Sequence, residues 1–224
     1  METYEKKLAN NELLKNLKTE DIQLLLDPES CIIGSYKKNT IITQVGDPCN
    51  AIGFILDGEV AIQQLSPSGG LINLQIIHSP DTIGAVQLFS NEPIYPYSFV
   101  TLTNTNIVYV PASSIDDLLS KNITFARNYI SMLSNRFRVF NEKILLLSQK
   151  DVRSRLIYYF STEFLYQNQT TFLLRNSKTE IADLIGVARP SVSRELKNMQ
   201  NDGLIVLEGN RITLLKPDIF RTQS

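Results

Sequence analysis

The chain has 224 residues, 43% hydrophobic and 20% charged, with 10 Gly and 9 Pro. This is a globular composition with enough chain for one or two cores, and it excludes disordered and collagen-like classes. Two cysteines (Cys31 and Cys49) and one histidine (His78) exclude a disulfide framework, a four-cysteine zinc or iron–sulfur site, and any enzyme built on two or three imidazoles. The net charge of −1 is unevenly spread: residues 1–150 hold 12 Lys+Arg against 15 Asp+Glu, and residues 151–224 hold 10 against 8. The C-terminal part is therefore the one suited to a polyanion.

No apolar run approaches the ~18 residues that a membrane span needs. The N-terminal stretch METYEKKLANNELLKNLKTEDIQ mixes acids and bases without a signal-peptide core, so a cytoplasmic protein with no membrane partner is expected. Residues 11–26 read as a short leading helix through Leu13, Leu14, Leu17, Ile22, Leu25 and Leu26. Residues 31–111 then read as strands, with β-branched and aromatic runs at 40–43, 51–56, 60–65, 71–77 and 98–110. The turn clusters Gly46-Asp47-Pro48, Asp57-Gly58, Pro67-Ser68-Gly69-Gly70 and Ser79-Pro80-Asp81 fit hairpins. Short strands at this spacing predict a sandwich or barrel-like β domain.

From 114 to 150 the period becomes helical. Ile123, Ala126, Ile130, Leu133, Phe137, Phe140, Ile144 and Leu147 alternate spacings of three and four, which is a heptad seam. A helix packed only on its own sheet would be served by a period of 3.6. The strict 3.5 favours self-association, most simply with an identical helix, and the expected dimer contacts are Ile130, Leu133, Phe137, Phe140, Ile144 and Leu147. Arg136 and Arg138 flank the seam, solvated or paired with Glu142 and its neighbours.

Asp151 ends the seam and can cap a new helix over 152–166, placing a domain boundary there. Ser177-Lys178-Thr179-Glu180 is a capping box opening a short helix whose inward face is Ile181, Ala182, Leu184 and Ile185. Gly186 supplies the left-handed residue for a tight turn, and Arg189-Pro190-Ser191-Val192-Ser193-Arg194-Glu195-Leu196 starts a second helix with proline in its first turn. Val192, Leu196 and Met199 face inward, leaving Arg189, Ser193 and Arg194 outward. After Asp202-Gly203, residues 204–207 and 211–215 read as a β-hairpin around Glu208-Gly209-Asn210. This is the grammar of a winged helix-turn-helix, whose second helix lies in the major groove of double-stranded DNA. A helical hairpin used only for packing would not need two exposed arginines at the leading end, and arginine's fork matches guanine O6 and N7.

These segments resemble the cyclic-AMP receptor protein/FNR (Crp/Fnr) family of bacterial transcription regulators over nearly the whole chain. The likeness is carried by residues 179–194 (TEIADLIGVARPSVSR), by Asn39-Thr40-Ile41-Ile42 with Gly46-Asp47, by residues 54–60 (FILDGEV) and by Ile83-Gly84-Ala85-Val86-Gln87-Leu88-Phe89. It implies an α+β fold: an N-terminal β-roll of the cyclic-nucleotide-binding jelly-roll type at 1–113, a dimerisation helix region at 114–150 and a winged helix-turn-helix at 151–224. It implies that Arg189 and Arg194 read bases, that Ser191 and Ser193 meet bases or nearby phosphates, and that Ser177, Lys178, Thr179 and Arg211 sit over the DNA backbone. Where many relatives place a glutamate that accepts from cytosine N4, this chain has Pro190. It also implies an effector site at Gly84, Ala85, Tyr97, Phe140 and Asn141, RNA polymerase as a further partner, and no catalytic residue, metal or cofactor.

The effector segment departs from the cyclic-nucleotide pattern. The ribose-binding glutamate is replaced by Ala85, and the phosphate-binding arginine region is Tyr95-Pro96-Tyr97-Ser98, with no cation. An uncompensated buried phosphate is costly, so an effector other than cyclic AMP is expected. The alternatives are a constitutive regulator whose β-roll is a ligand-free scaffold, and a cupin-like enzyme, for which one histidine is too few. Cys31 reads as an inert core thiol in an apolar strand; Cys49, beside a turn, is the better placed of the two for exposure, though no redox role is expected of it. His78 ends a strand, and Tyr95 and Tyr97 read equally as packing or as rim aromatics.

Overall fold

The computed structural model describes residues 2–8, 10–27, 29–65 and 70–221. The chain forms two compact units, residues 1–135 and 136–224. Among the described residues no helix is long and apolar enough to cross a membrane.

The first unit contains α1 (Glu2–Leu8), α2 (Thr19–Leu25), β1 (Ile32–Tyr36), β2 (Ile41–Thr43), β3 (Ala51–Asp57), β4 (Glu59–Leu65), β5 (Leu71–His78), β6 (Thr82–Ile83), β7 (Ser98–Thr101), β8 (Thr105–Pro111), α3 (Ala112–Lys121) and the start of α4 (Ile123–Ser148). Its strands form two antiparallel sheets, ordered β1-β8-β3-β6 and β2-β7-β4-β5. Among the described residues of this unit, only β4 and β5 are consecutive strands paired within one sheet; every other link between consecutive strands carries the chain to the opposite sheet. The turn clusters at 46–48, 57–58 and 79–81 are therefore corners of a roll and not hairpins. At one corner the Asp57 carboxylate accepts from Asn106 Nδ2 at 2.9 Å and from Lys7 Nζ at 2.8 Å, which holds the crossing. The β4–β5 turn at Pro67-Ser68-Gly69 lies outside the described residues. The run 98–110 is likewise two strands, one in each sheet, parted after Thr101, whose hydroxyl donates to Lys37 O at 2.6 Å.

The expected leading helix over 11–26 is helical only in its last part: turns run through 12–16 and α2 covers Thr19–Leu25, with α1 ahead of the expected span. Asn11 is 2% exposed; its carboxamide oxygen takes the Leu13 amide at 2.9 Å and its nitrogen reaches Pro80 O, so the side chain competes with a helical hydrogen bond. Asn16 follows with φ 61°, which a helix cannot contain. The roll's core is built from Ile52, Phe54, Ile55, Val60, Ile83, Ile107 and Val110, all fully buried. Tyr36 and Tyr109, both half-buried, bring their hydroxyls within 3.0 Å of each other.

α4 is capped by Asn122, whose side-chain oxygen accepts from the amides of Thr124 and Phe125 at 3.0 Å. Phe125, Tyr129 and Met132 form one apolar stripe, buried in the first unit's core. Tyr129 donates its hydroxyl to Ala85 O at 2.6 Å, and Asn128 Nδ2 donates to the carbonyls of Leu13 and Lys15.

The second unit contains the rest of α4, then α5 (Val152–Gln167), β9 (Thr171–Leu173), α6 (Lys178–Ile185), α7 (Arg189–Asn201), β10 (Ile205–Glu208), β11 (Arg211–Leu214) and α8 (Pro217–Arg221). Its core is separate, formed by Leu156, Phe160, Ile181, Ile185, Val192, Leu196, Met199 and Ile212. The anticipated hairpin is the β10–β11 pair, and β9 adds a third strand against β11. Neither β9 nor α8 shows in the sequence pattern, being only three and five residues long. α8 is nevertheless fixed by Phe220, which is fully buried.

Candidate nucleic-acid interface

The interface is assembled from local rules acting in succession. Asp151 caps α5 by accepting from Ser154 N at 2.8 Å, and that backbone donor holds its carboxyl below the usual carboxylate range. At α6 both halves of the capping box are formed: the Glu180 amide donates to Ser177 Oγ at 3.3 Å and the Ser177 amide to Glu180 Oε2 at 2.6 Å. Gly186 ends α6 at φ 67° and ψ 41°, where a Cβ would be strained. The Val187 amide returns to Ala182 O at 3.0 Å, completing the turn that leads into α7.

α7 begins at Arg189 with Pro190 in its first turn and buries Val192, Leu196 and Met199, each at 1% exposure or less. Arg194 lies two residues from both Val192 and Leu196, roughly 200° around the helix from each, and so projects away from the core. Arg189 and Arg194 are exposed, and Ser191 and Ser193 are partly exposed between them. Ser177 and Thr179 are exposed and Lys178 half-buried at the start of α6, and Arg211 is exposed at the head of β11. Each side chain assigned to DNA from the sequence therefore retains solvent access on an element whose opposite side is core.

Two arginines of α5 escaped the sequence reading. Arg153 pairs with Glu195 in the middle of α7 and with Asp202 at its end, the latter at 2.6 Å, and the Glu195 carboxylate pushes its guanidinium's pKa up. Arg155 donates to three backbone carbonyls, of Leu147, Gln149 and Ile185. The partners lie 8, 6 and 30 residues away in sequence and, for Arg153, 42 away at Glu195, so no short-range pattern announces them.

The effector-segment residues are divided between the units. In the first, Gly84 has φ 86° and a Cβ there would stand 2.8 Å from Ala51 O, so the backbone passes close to β3. Ala85 is 2% exposed, with its methyl in the core and its carbonyl taken by Tyr129. Tyr97 is half-buried, whereas Tyr95 is 4% exposed and packs edge-on against Phe99 at 5.6 Å, which makes it a core residue. In the second unit Phe140 and Asn141 are exposed on α4. Among the seam residues of α4, Ile130, Phe137 and Phe140 are 64%, 70% and 61% exposed, Leu133, Ile144 and Leu147 less so. Arg138 pairs with Glu142 at 2.7 Å.

Cys49 is not exposed: it is 1% accessible, with Sγ facing Gly84 O at 3.5 Å, and burial pushes its thiol pKa up. The Pro48–Ile94 bridge covers the turn beside it. Cys31 precedes β1 and is half-buried, its thiol donating to Leu25 O at 3.3 Å. His78 closes β5 and stands 3.4 Å from Glu59.

A β-roll followed by a winged helix-turn-helix with outward arginines defines a DNA-binding transcription regulator. Residues 33–122 match the cyclic nucleotide-binding domain family and residues 145–221 the Crp-like helix-turn-helix domain family. The chain belongs to the Crp/Fnr family of transcription regulators. It is 24% identical over 192 residues to the Global nitrogen regulator of a Nostoc species, covering 83% of this chain and 86% of that one. It is 25% identical over 184 residues to the transcriptional activator protein Anr of Pseudomonas aeruginosa, covering 80% and 75%. In fold it is similar to the catabolite activator protein of Thermus thermophilus, at TM-score 0.57 and 22% identity over 95% of this chain and 97% of that one. It is also similar to DNR of Pseudomonas aeruginosa, at TM-score 0.52 and 20% identity over 100% and 99%.

The Glu180 cap generates a pH dependence. Hydrogen bonding from Ser177 lowers the folded-state pKa below the unfolded value, so the stabilisation is complete above the unfolded value and disappears as pH falls through the folded one. Glu180→Gln is expected to flatten the dependence of the second unit's melting temperature on pH below about 5. Circular dichroism melts from neutral to acid pH check this, and slopes equal to wild type would remove the cap as a source of acid sensitivity.

Proposed function

We propose that the chain acts in the cytoplasm as a homodimeric, sequence-specific regulator of transcription that binds a pseudo-palindromic operator in double-stranded DNA. In this reading residues 1–113 form the effector-binding-like domain, 114–150 the dimerisation region and 151–224 the DNA-binding domain. The observation that carries the reading is the pair of exposed arginines on α7, mounted over a separate buried core. Their role is to read base edges while Ser177, Lys178, Thr179 and Arg211 meet the backbone. The regulator then helps or hinders RNA polymerase at the bound promoter. An Arg194→Ala chain should stay folded and lose about 1–3 kcal/mol per half-site on a duplex selected by the wild type from a random pool, with a smaller loss on unselected DNA. Fluorescence anisotropy distinguishes the cases, since equal losses on both duplexes would make Arg194 a phosphate contact.

The dimer is supported by the second apolar stripe of α4, which the fold of one chain leaves in water. A partner helix would bury it, and a two-fold arrangement sets half-sites about 34 Å apart along the duplex. Phe137→Glu is expected to give monomers, because two carboxylates facing each other in a seam are desolvated and repel. Sedimentation velocity is the measurement, and a dimeric variant would move the interface elsewhere.

The effector is proposed to be a small molecule other than a cyclic nucleotide, held by apolar and aromatic groups with polar anchors such as Tyr97 and Asn141. The segment 82–101 carries no lysine or arginine, and Ala85 is buried with its carbonyl already bonded. A second reading, a roll without ligand, is favoured by the packing of Tyr36, Tyr95, Phe99 and Tyr109 into the first unit's core. Calorimetry should show no micromolar binding of cyclic AMP or cyclic GMP, since two lost charged contacts weaken binding about a hundredfold or more. Micromolar affinity for either would overturn this reading of the segment.

A further inference from the structure

Arg155 is spent on neither the core nor the DNA-facing surface. Its Nε donates to Gln149 O at 3.1 Å, Nη2 to Leu147 O at 3.1 Å and Nη1 to Ile185 O at 2.8 Å. Leu147 lies in the last turn of α4 with Gln149 just beyond it, and Ile185 is the last residue of α6. Carbonyls at a helix C-terminus lack intrahelical partners and carry the negative end of the dipole, so one half-buried guanidinium satisfies two helix ends together. Its planar fork also fixes the angle between them, which a flexible ammonium would not. A second contact reinforces the first: a Cβ on Gly186 would lie 3.3 Å from Leu147 Cδ2, so the turn of the helix-turn-helix rests directly on the end of α4.

We propose that Arg155 is a positioning residue that couples the end of α4 to the helix-turn-helix, so that the course of α4 sets the direction in which α7 is presented to DNA. The brace itself is a property of one chain. Its consequence for half-site spacing rests on the dimer proposed above.

The test uses the full chain carrying Cys31→Ser, with spin labels at Lys143→Cys on α4 and Lys197→Cys on α7. Dilution with an excess of unlabelled chain leaves only distances within one chain. Pulsed dipolar spectroscopy should give a narrow distribution with Arg155 and a broad one with Arg155→Gln. Arg155→Lys, which keeps the charge without the fork, should fall between them and serves as the reading if the glutamine variant does not fold. A merely structural role would lower the melting temperature while leaving the distribution narrow below the melt, and that result overturns the proposal. On duplexes bearing the selected half-sites at spacings varied by single base pairs, the wild type should prefer one spacing by about tenfold and Arg155→Gln by about twofold or less. An unchanged preference in a variant that sediments as a dimer also overturns it. A wild-type chain that sediments as a monomer would instead remove the dimer reading, and the label distances would decide the brace alone.

Discussion

The double duty of α4 constrains the rest of the molecule. An α-helix places residues three and four apart on one face, and α4 carries two such faces. Phe125, Tyr129 and Met132 are buried in the first unit, with Tyr129 also bonded to Ala85. Ile130, Phe137 and Phe140 are more than half exposed. Burying a side chain of this size yields about 1.5–3 kcal/mol, so the inner stripe anchors the helix within its own chain while the outer one remains an unused association energy. The same helix ends in carbonyls that Arg155 binds. Anchoring at one end, an open seam in the middle and bracing at the other follow from a single element.

The recognition helix is held by interactions of two ranges. Within a few residues, the Ser177–Glu180 box, the Gly186 turn and Pro190 determine where α6 stops and α7 begins. Across the domain, Arg153 ties Glu195 and Asp202 to α5, and Arg155 ties Ile185 to the end of α4. The short-range group makes a helical hairpin of some kind. The long-range group selects one orientation of it, and orientation is what a groove-reading helix must control. Both arginines are partly exposed, Arg153 on two carboxylates and Arg155 on three backbone carbonyls, so water screens the first and competes for the second, and they contribute more to geometry than to stability.

This division of range explains what could be read from the sequence. The caps at Asp151 and Ser177, the left-handed Gly186 and the inward set Val192, Leu196 and Met199 each depend on residues within about one helical turn, and all were legible. The strands at 41–43, 51–57, 59–65 and 71–78 were legible too, because alternation and β-branching are local, whereas the two- and three-residue strands β6 and β9 are too short to show a period. The partner of each strand is not local, so the turns at 46–48, 57–58 and 79–81 read as hairpins although they switch sheets. The leucines of 11–26 keep helical spacing, and only the buried side chain of Asn11 and the left-handed Asn16 reveal the interruption. Cys49 was misplaced for the same reason: a Gly-Asp-Pro turn suggests exposure, while its cover comes from Pro93 and Ile94, more than forty residues on.

The segment read as an effector site has its own polar groups engaged within the protein. Gly84 takes a φ of 86° and passes so close to β3 that a Cβ would stand 2.8 Å from Ala51 O. The loop's carbonyls meet the protein's own donors: Tyr129 bonds Ala85 O and the Cys49 thiol faces Gly84 O. Burial raises the pKa of that thiol and of Tyr95, so both remain neutral donors at physiological pH. An anion needs a cation or an array of free amide donors, and neutral phenols and thiols already engaged with carbonyls offer neither. Under the proposed reading, the surroundings of this loop thus select against a charged phosphate twice, through the missing arginine and through neutral donors already engaged with the loop's own carbonyls.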